Sequence, residues 1–200
     1  MRKRTLLLSI TAAGVAGAVA FAWVTIRRGF SVRDKPSAIE AYLATTARNL
    51  SIPASERRAT TPVAPTAEVL REARAHFADH CAICHGNDGS GDTQIGQNLY
   101  PKAPDMRQSQ TQQLTDGEIY YILHNGIRLT GMPAWGTDEK DEDSWKLAAF
   151  IRHLPKLTPE ELKEMEQLNP KTDSERAEER DEERFLNEGK SPKMNGNRYH

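Results

Sequence analysis

Cys81-Ala82-Ile83-Cys84-His85 is the stretch on which the reading of this chain turns. Cys81 and Cys84 are its two cysteines. A pair this close could form a redox disulfide, half of a zinc site, or an attachment point for haem c, and the histidine that follows decides among them. Covalent haem needs two thiols spaced to reach the two vinyl groups of one porphyrin, with an imidazole placed to bind the iron from the same side. These five residues supply all three. Zinc would need two more ligands at suitable spacing, and none is evident. A thioredoxin-like site would sit in a βαβ pattern, and no strand pattern is seen. A single motif of this kind predicts one covalent haem c per chain.

Upstream, Thr66 is a good N-cap with Glu68 in the first turn, and Val69, Ala73 and Phe77 recur at i, i+4 and i+8, so a helix should lead into Cys81. Gly86, Gly89 and Gly91 predict a tight loop after His85. Residues 95–113 have no sustained period, and Pro101 and Pro104 point to irregular chain wrapped around an apolar object. Thr115-Asp116-Gly117-Glu118 is a capping box for a helix carrying Ile119, Ile122 and Leu123 and stopped by Gly126. Leu147, Phe150, Ile151 and Leu154 define a last helix over about residues 143–154, ended by Pro155. The domain over residues 66–157 is therefore expected to be all-α, small, and packed around its cofactor.

These residues resemble the class I c-type cytochromes of the single-haem, membrane-anchored kind. The matching pieces are Cys81-Ala82-Ile83-Cys84-His85-Gly86, Gly131-Met132-Pro133-Ala134-Trp135 in a loop, and Trp145-Lys146-Leu147-Ala148-Ala149-Phe150 in the last helix, in the family's order. The resemblance implies a cytochrome c-like fold in which the first and last helices cross, with Ala73, Phe77, Trp145 and Phe150 at the crossing. It also implies that the Trp135 indole donates to a haem propionate. Arg128 and Tyr100 are weaker candidates for that role.

A low-spin iron suited to electron transfer needs a second strong axial ligand, and a thioether raises the reduction potential relative to a second histidine. Met132 is the candidate, between Gly131 and Pro133 in a loop 47 residues beyond His85. Met106 is expected to pack against the haem edge. Met1, Met165 and Met194 lie outside the haem-binding segment. His76 and His80 precede the motif on the same helix, and His124 and His153 are expected to be surface or packing residues. The candidate iron ligands are thus His85 and Met132, and the haem-binding set is Cys81, Cys84, His85, Met132 and Trp135.

Thr5 to Ile26 is a run of 22 residues without a charge, flanked by Arg2, Lys3 and Arg4 and by Arg27 and Arg28. At about 1.5 Å per residue it can cross a hydrocarbon core of about 30 Å. Ala18-Val19-Ala20 offers a signal-peptidase site, but the apolar run continues past it, so an uncleaved anchor over residues 1–30 is expected. Basic residues on both sides leave orientation unresolved. Haem c is attached on the outer side of the bacterial inner membrane, which places the domain on the periplasmic side. Residues 31–65 should hold a juxtamembrane helix of about residues 37–50, with Ile39, Leu43 and Leu50 on one face, and a Pro-rich, semi-extended linker. Arg48, Arg57 and Arg58 would suit an anionic lipid surface. Residues 158–200 should begin with a helix capped by Thr158-Pro159-Glu160-Glu161. Beyond Pro170 they become a charged tail that is disordered or a frayed helix.

The formal charge of −1 conceals net +7 over residues 1–65 and net −4 over each of 66–157 and 158–200. No broad basic face survives, so nucleic acid is not an expected partner. Expected partners are the membrane and redox proteins, with no small-molecule substrate. The expected function is single-electron carriage, without enzymatic chemistry of its own. Alternatives are an enzyme or a gas or peroxide sensor with an open iron site, or a permanent haem subunit of a larger oxidoreductase.

Overall fold

A computed structural model of the chain describes residues 2–29, 31–137 and 141–188. It is helical, with no strand among the described residues. Helix α1 spans Arg2–Arg28. It is long and apolar enough to cross a membrane, with mean hydropathy 2.0 in its most apolar window. At its far end the Arg27 guanidinium lies 4.6 Å over the Trp23 ring, an aromatic and cation pair of the kind that suits a lipid–water boundary.

Helix α2 spans Ala38–Ser51. The Ser37 hydroxyl accepts the Glu40 N–H, while the Glu40 carboxylate takes the Tyr100 hydroxyl instead of turning back on the N-cap. Residues 51–65, expected to be extended, contain a short helix, α3, over Ala54–Arg57. Ile52, just before it, is buried against the domain, 3% exposed.

The haem-motif helix begins as α4, Ala67–His76, with the Thr66 hydroxyl accepting the Val69 N–H. It passes through a π-helical turn, Phe77–Cys81, in which the Ala82 N–H reaches back to the Phe77 carbonyl, and continues as α5, Ala82–His85. One extra residue in that turn rotates everything beyond it by about 100° relative to the Val69–Ala73–Phe77 stripe. Two short helices follow, α6 over Gln94–Gln97 and α7 over Ser109–Gln112. Helix α8, Asp116–Asn125, starts with the expected capping box, formed reciprocally by Thr115 and Glu118, and stops at Gly126. Helix α9 covers Glu142–His153, its N-cap Asp141 accepting from Ser144.

The core lies where α9 packs across α4 and against α8. Ala73 and Ala148 are buried, and Phe77 and Phe150 are 1% and 0% exposed. Leu147, Ile151 and Leu154, the rest of the predicted α9 stripe, are buried with them. Trp145, expected at the crossing, stacks on Tyr120 of α8, ring centroids 4.2 Å apart and 11° from parallel. Its position is set by α8, which the helical pattern of α9 alone does not reveal.

Helix α10, Pro159–Leu168, carries the expected capping box and inserts Met165, 0% exposed, into the same core. The Arg74 guanidinium holds it, 2.7 Å from Glu161 and 2.5 Å from Glu164. The tail contains helix α11, Asp173–Glu188. The rest of the tail expected to be disordered, residues 189–200 with Met194, lies outside the described residues.

Candidate haem site

The motif helix ends against a loop that satisfies each of its last carbonyls, which a helix terminus otherwise leaves orphaned. The Gly86 N–H donates to Ala82 O, the Thr93 hydroxyl to Ile83 O and Cys84 O, and the Gly91 N–H to His85 O at 2.7 Å. Gly91, at φ +72°, must be glycine: a Cβ there would run into the Ala103 carbonyl. The predicted tight turn is therefore the clamp that fixes the orientation of Cys84 and His85.

The methionine loop is fastened to the end of α8. The Ile127 N–H donates to Met132 O at 3.1 Å, and the Met132 N–H donates to the Thr130 hydroxyl, which itself donates to Ile127 O. Gly126, at φ +65°, leaves only 2.8 Å between a would-be Cβ and the Met132 carbonyl. Further along, the Trp135 backbone N–H, not its indole, donates to Leu123 O at 3.0 Å.

Between these two clamps lies a cavity of about 410 Å³. Cys81, Cys84, His85, Met132 and Trp135, the residues singled out from the sequence, all line it. Met106, expected at the haem edge, lines it and is 7% exposed. Tyr100 also reaches it, whereas Arg128 is not among the described residues on its wall. His80 stands on the wall and meets Trp135 edge-on, ring centroids 5.5 Å apart. His124 is instead a packing residue between Tyr120 and Asp141, and His153 binds Glu161 through Nε2 at 3.1 Å.

The chemistry of the set fits a covalently attached haem. Burial, followed by the neighbouring Cys84, pushes the Cys81 thiol up to about 12, so it is no low-pKa thiolate of the kind that serves disulfide exchange. Burial likewise lowers the pKa of His85, opposed by the Pro104 carbonyl. Burial thus favours the neutral imidazole, the form that binds a metal. Its Nδ1 is buried without a regular hydrogen bond. Among the described residues no cluster of three or more His, Cys, Asp or Glu could hold a metal ion.

Two features of the site were not read from the sequence. One is the π turn before Cys81, for which the residues carry no signal. The other is the face of α2 that lines the cavity with Ala41, Ala44 and Arg48. The helical period located α2 but gave no account of what this side faces.

A family model described as cytochrome c oxidase, cbb3-type, subunit III matches residues 68–151. A comparison with curated proteins gave no match. The matched segment begins in α4 and ends in α9, so α1, α2, α3, α10 and α11 lie outside it.

Proposed function

We propose, from the premise that residues 68–151 form a class I c-type cytochrome domain, that this chain is a membrane-anchored monohaem cytochrome passing single electrons between redox proteins. The observation that carries this reading is the convergence of Cys81, Cys84, His85 and Met132 on one cavity with mostly apolar walls. Haem c supplies the one-electron couple. Cys81 and Cys84 would hold it by thioether bonds, and His85 and Met132 would bind its iron. The clamped turns around His85 and Met132 keep both ligands in place across the redox change, and the apolar wall excludes water. Trp135 would meet a propionate at the rim.

Helix α1 would hold the domain at a membrane, and covalent haem attachment, which takes place on the outer side of the bacterial inner membrane, favours that face. The matched family is described as an oxidase subunit, which favours as second reading a haem subunit docked in a larger oxidoreductase. An open-site enzyme or sensor is disfavoured by Met132, whose sulfur would fill the sixth position. Pyridine-haemochrome absorbance and ligand-binding spectra of the purified chain test the proposal. One haem that survives acid-acetone extraction, with slow cyanide binding, is the expected result. Extractable haem, or rapid cyanide binding, would overturn it.

A further inference from the structure

Helix α2 has two opposed faces. Ile39, Tyr42, Leu43 and Leu50 are 73%, 69%, 59% and 77% exposed. Half a turn away, at about 100° per residue, Glu40, Ala41, Ala44, Thr45 and Arg48 line the cavity that holds His85 and Met132. No residue of α2 is buried, yet both of its ends are fastened to the domain.

At the N-terminal end Glu40 takes the Tyr100 hydroxyl. At the other end Ile52 is buried, and Arg57 donates to the Asn49 carbonyl and lies 3.2 Å from Glu118. The Thr115 hydroxyl donates to Arg57 O at 2.9 Å. Gly117 permits this contact, because a Cβ there would take the place of the Glu56 carbonyl. The helix thus spans the cavity, presenting the short side chains of Ala41 and Ala44, which leave room for a flat group beneath.

Arg48 is the cation on that face, and its hydrogen-bond partner is a neutral amide. Its Nε and Nη2 donate to the Asn49 side-chain oxygen at 3.2 and 3.1 Å. Burial lowers its pKa, opposed by Glu118. Elsewhere on the wall Glu40 takes the Tyr100 hydroxyl and His80 lies beside Asp79, while Lys102, which also donates to an amide, that of Gln97, is exposed where Arg48 is half-buried. A half-buried guanidinium bound to an amide fits a bidentate carboxylate partner.

We propose that α2 is a fixed wall of the haem crevice and that its Arg48 binds a haem propionate, so the juxtamembrane segment sets both the exposure and the potential of the haem. This rests on the reading of the cavity as the haem site. A cation beside the propionates offsets their stabilisation of ferric iron, so its removal favours the oxidised form.

The test uses the full chain in detergent, with haem content measured first. Arg48→Ala should shift the ferrous–ferric equilibrium toward ferric by about three- to tenfold, read as a fall in midpoint potential at about 59 mV per tenfold. Arg48→Lys, which keeps the charge, should recover most of it. Hydrogen exchange of residues 38–51 in the wild-type holoprotein should be at least tenfold slower than in an unprotected helix. An unchanged potential in haem-loaded Arg48→Ala, or free exchange in α2, would overturn the inference and leave the haem reading standing. A wild-type chain that binds no haem would take both down.

Discussion

Phe77 and Phe150 meet with ring centroids 5.3 Å apart and planes inclined at 57°, and neither is more than 1% exposed. One belongs to the π turn just before Cys81 and the other to α9, so their contact joins the haem motif to the last helix. Tilted aromatic pairs of this kind stabilise beyond the area they bury. Phe150→Ala should cost about 3–5 kcal/mol, and Phe150→Leu clearly less. Denaturant titration of the holoprotein measures both, and equal costs would show that volume and ring geometry are irrelevant there.

Met132 carries the choice between carrier and enzyme. With its sulfur on ferric iron, the oxidised protein should show a weak charge-transfer band near the red end of the spectrum. Met132→Ala should abolish that band, lower the reduction potential and open the iron to cyanide. Loss of the band in Met106→Ala but not in Met132→Ala would reassign the ligand.

Attachment through Cys81 and Cys84 predicts graded loss. Cys84→Ala should leave haem held by a single thioether, detected as a shifted pyridine-haemochrome maximum, with lowered yield of holoprotein. Removal of both thiols should make the haem extractable by acid acetone. Covalent haem persisting in the double variant would refute the attachment.

The docking of α10 should weaken in acid. Burial alone would raise the Glu161 pKa, but the Thr158 N–H, His153 and Arg74 together hold it below its ordinary value. A carboxylate depressed in the folded state stabilises above its unfolded pKa and loses that contribution as the pH falls through the folded value. Stability should therefore fall below about pH 4.5. Glu161→Gln should flatten that part of the profile and cost about 1–3 kcal/mol at neutral pH. Thermal melts from pH 3 to pH 7 compare the two, and parallel profiles would rule out the linkage.

The anchor reading predicts that membrane-derived protein begins at or near Met1. A mature start at Phe21 in the soluble fraction would show α1 to be a removed signal. Deleting residues 2–28 behind a cleavable signal should release a haem-loaded soluble domain.

Much of this architecture is local and therefore legible in the residues. The caps at Thr66, Thr115 and Thr158 are set by side chains three residues from the N–H groups they satisfy, and the stripe Leu147, Phe150, Ile151, Leu154 follows from the helical period alone. Cys81, Cys84 and His85 fall within five consecutive residues, so the spacing that points to haem attachment is itself local. Met132 was legible through its glycine and proline neighbours, but its seat was not. The bonds from Ile127 and Thr130 and the room left at Gly126 depend on where α8 ends in space.

The long-range contacts were settled only by tertiary structure. Arg48 and Arg57 read as lipid-facing charges in sequence, and the fold turns one to the cavity and the other to Glu118. Tyr100 was a possible propionate donor, and its hydroxyl goes to Glu40, 60 residues earlier. Trp145 lies with Tyr120 because α8 and α9 pack side by side. A helical period states which residues share a face, whereas what that face meets depends on the register between helices. That register is decided by close packing and by which buried polar groups find partners. The sequence alone therefore determined the long capped helices, the Cys81–His85 motif and the candidate ligands; the fold decided the short helices α3, α6 and α7 and that α2, outside the matched segment, shares the cavity.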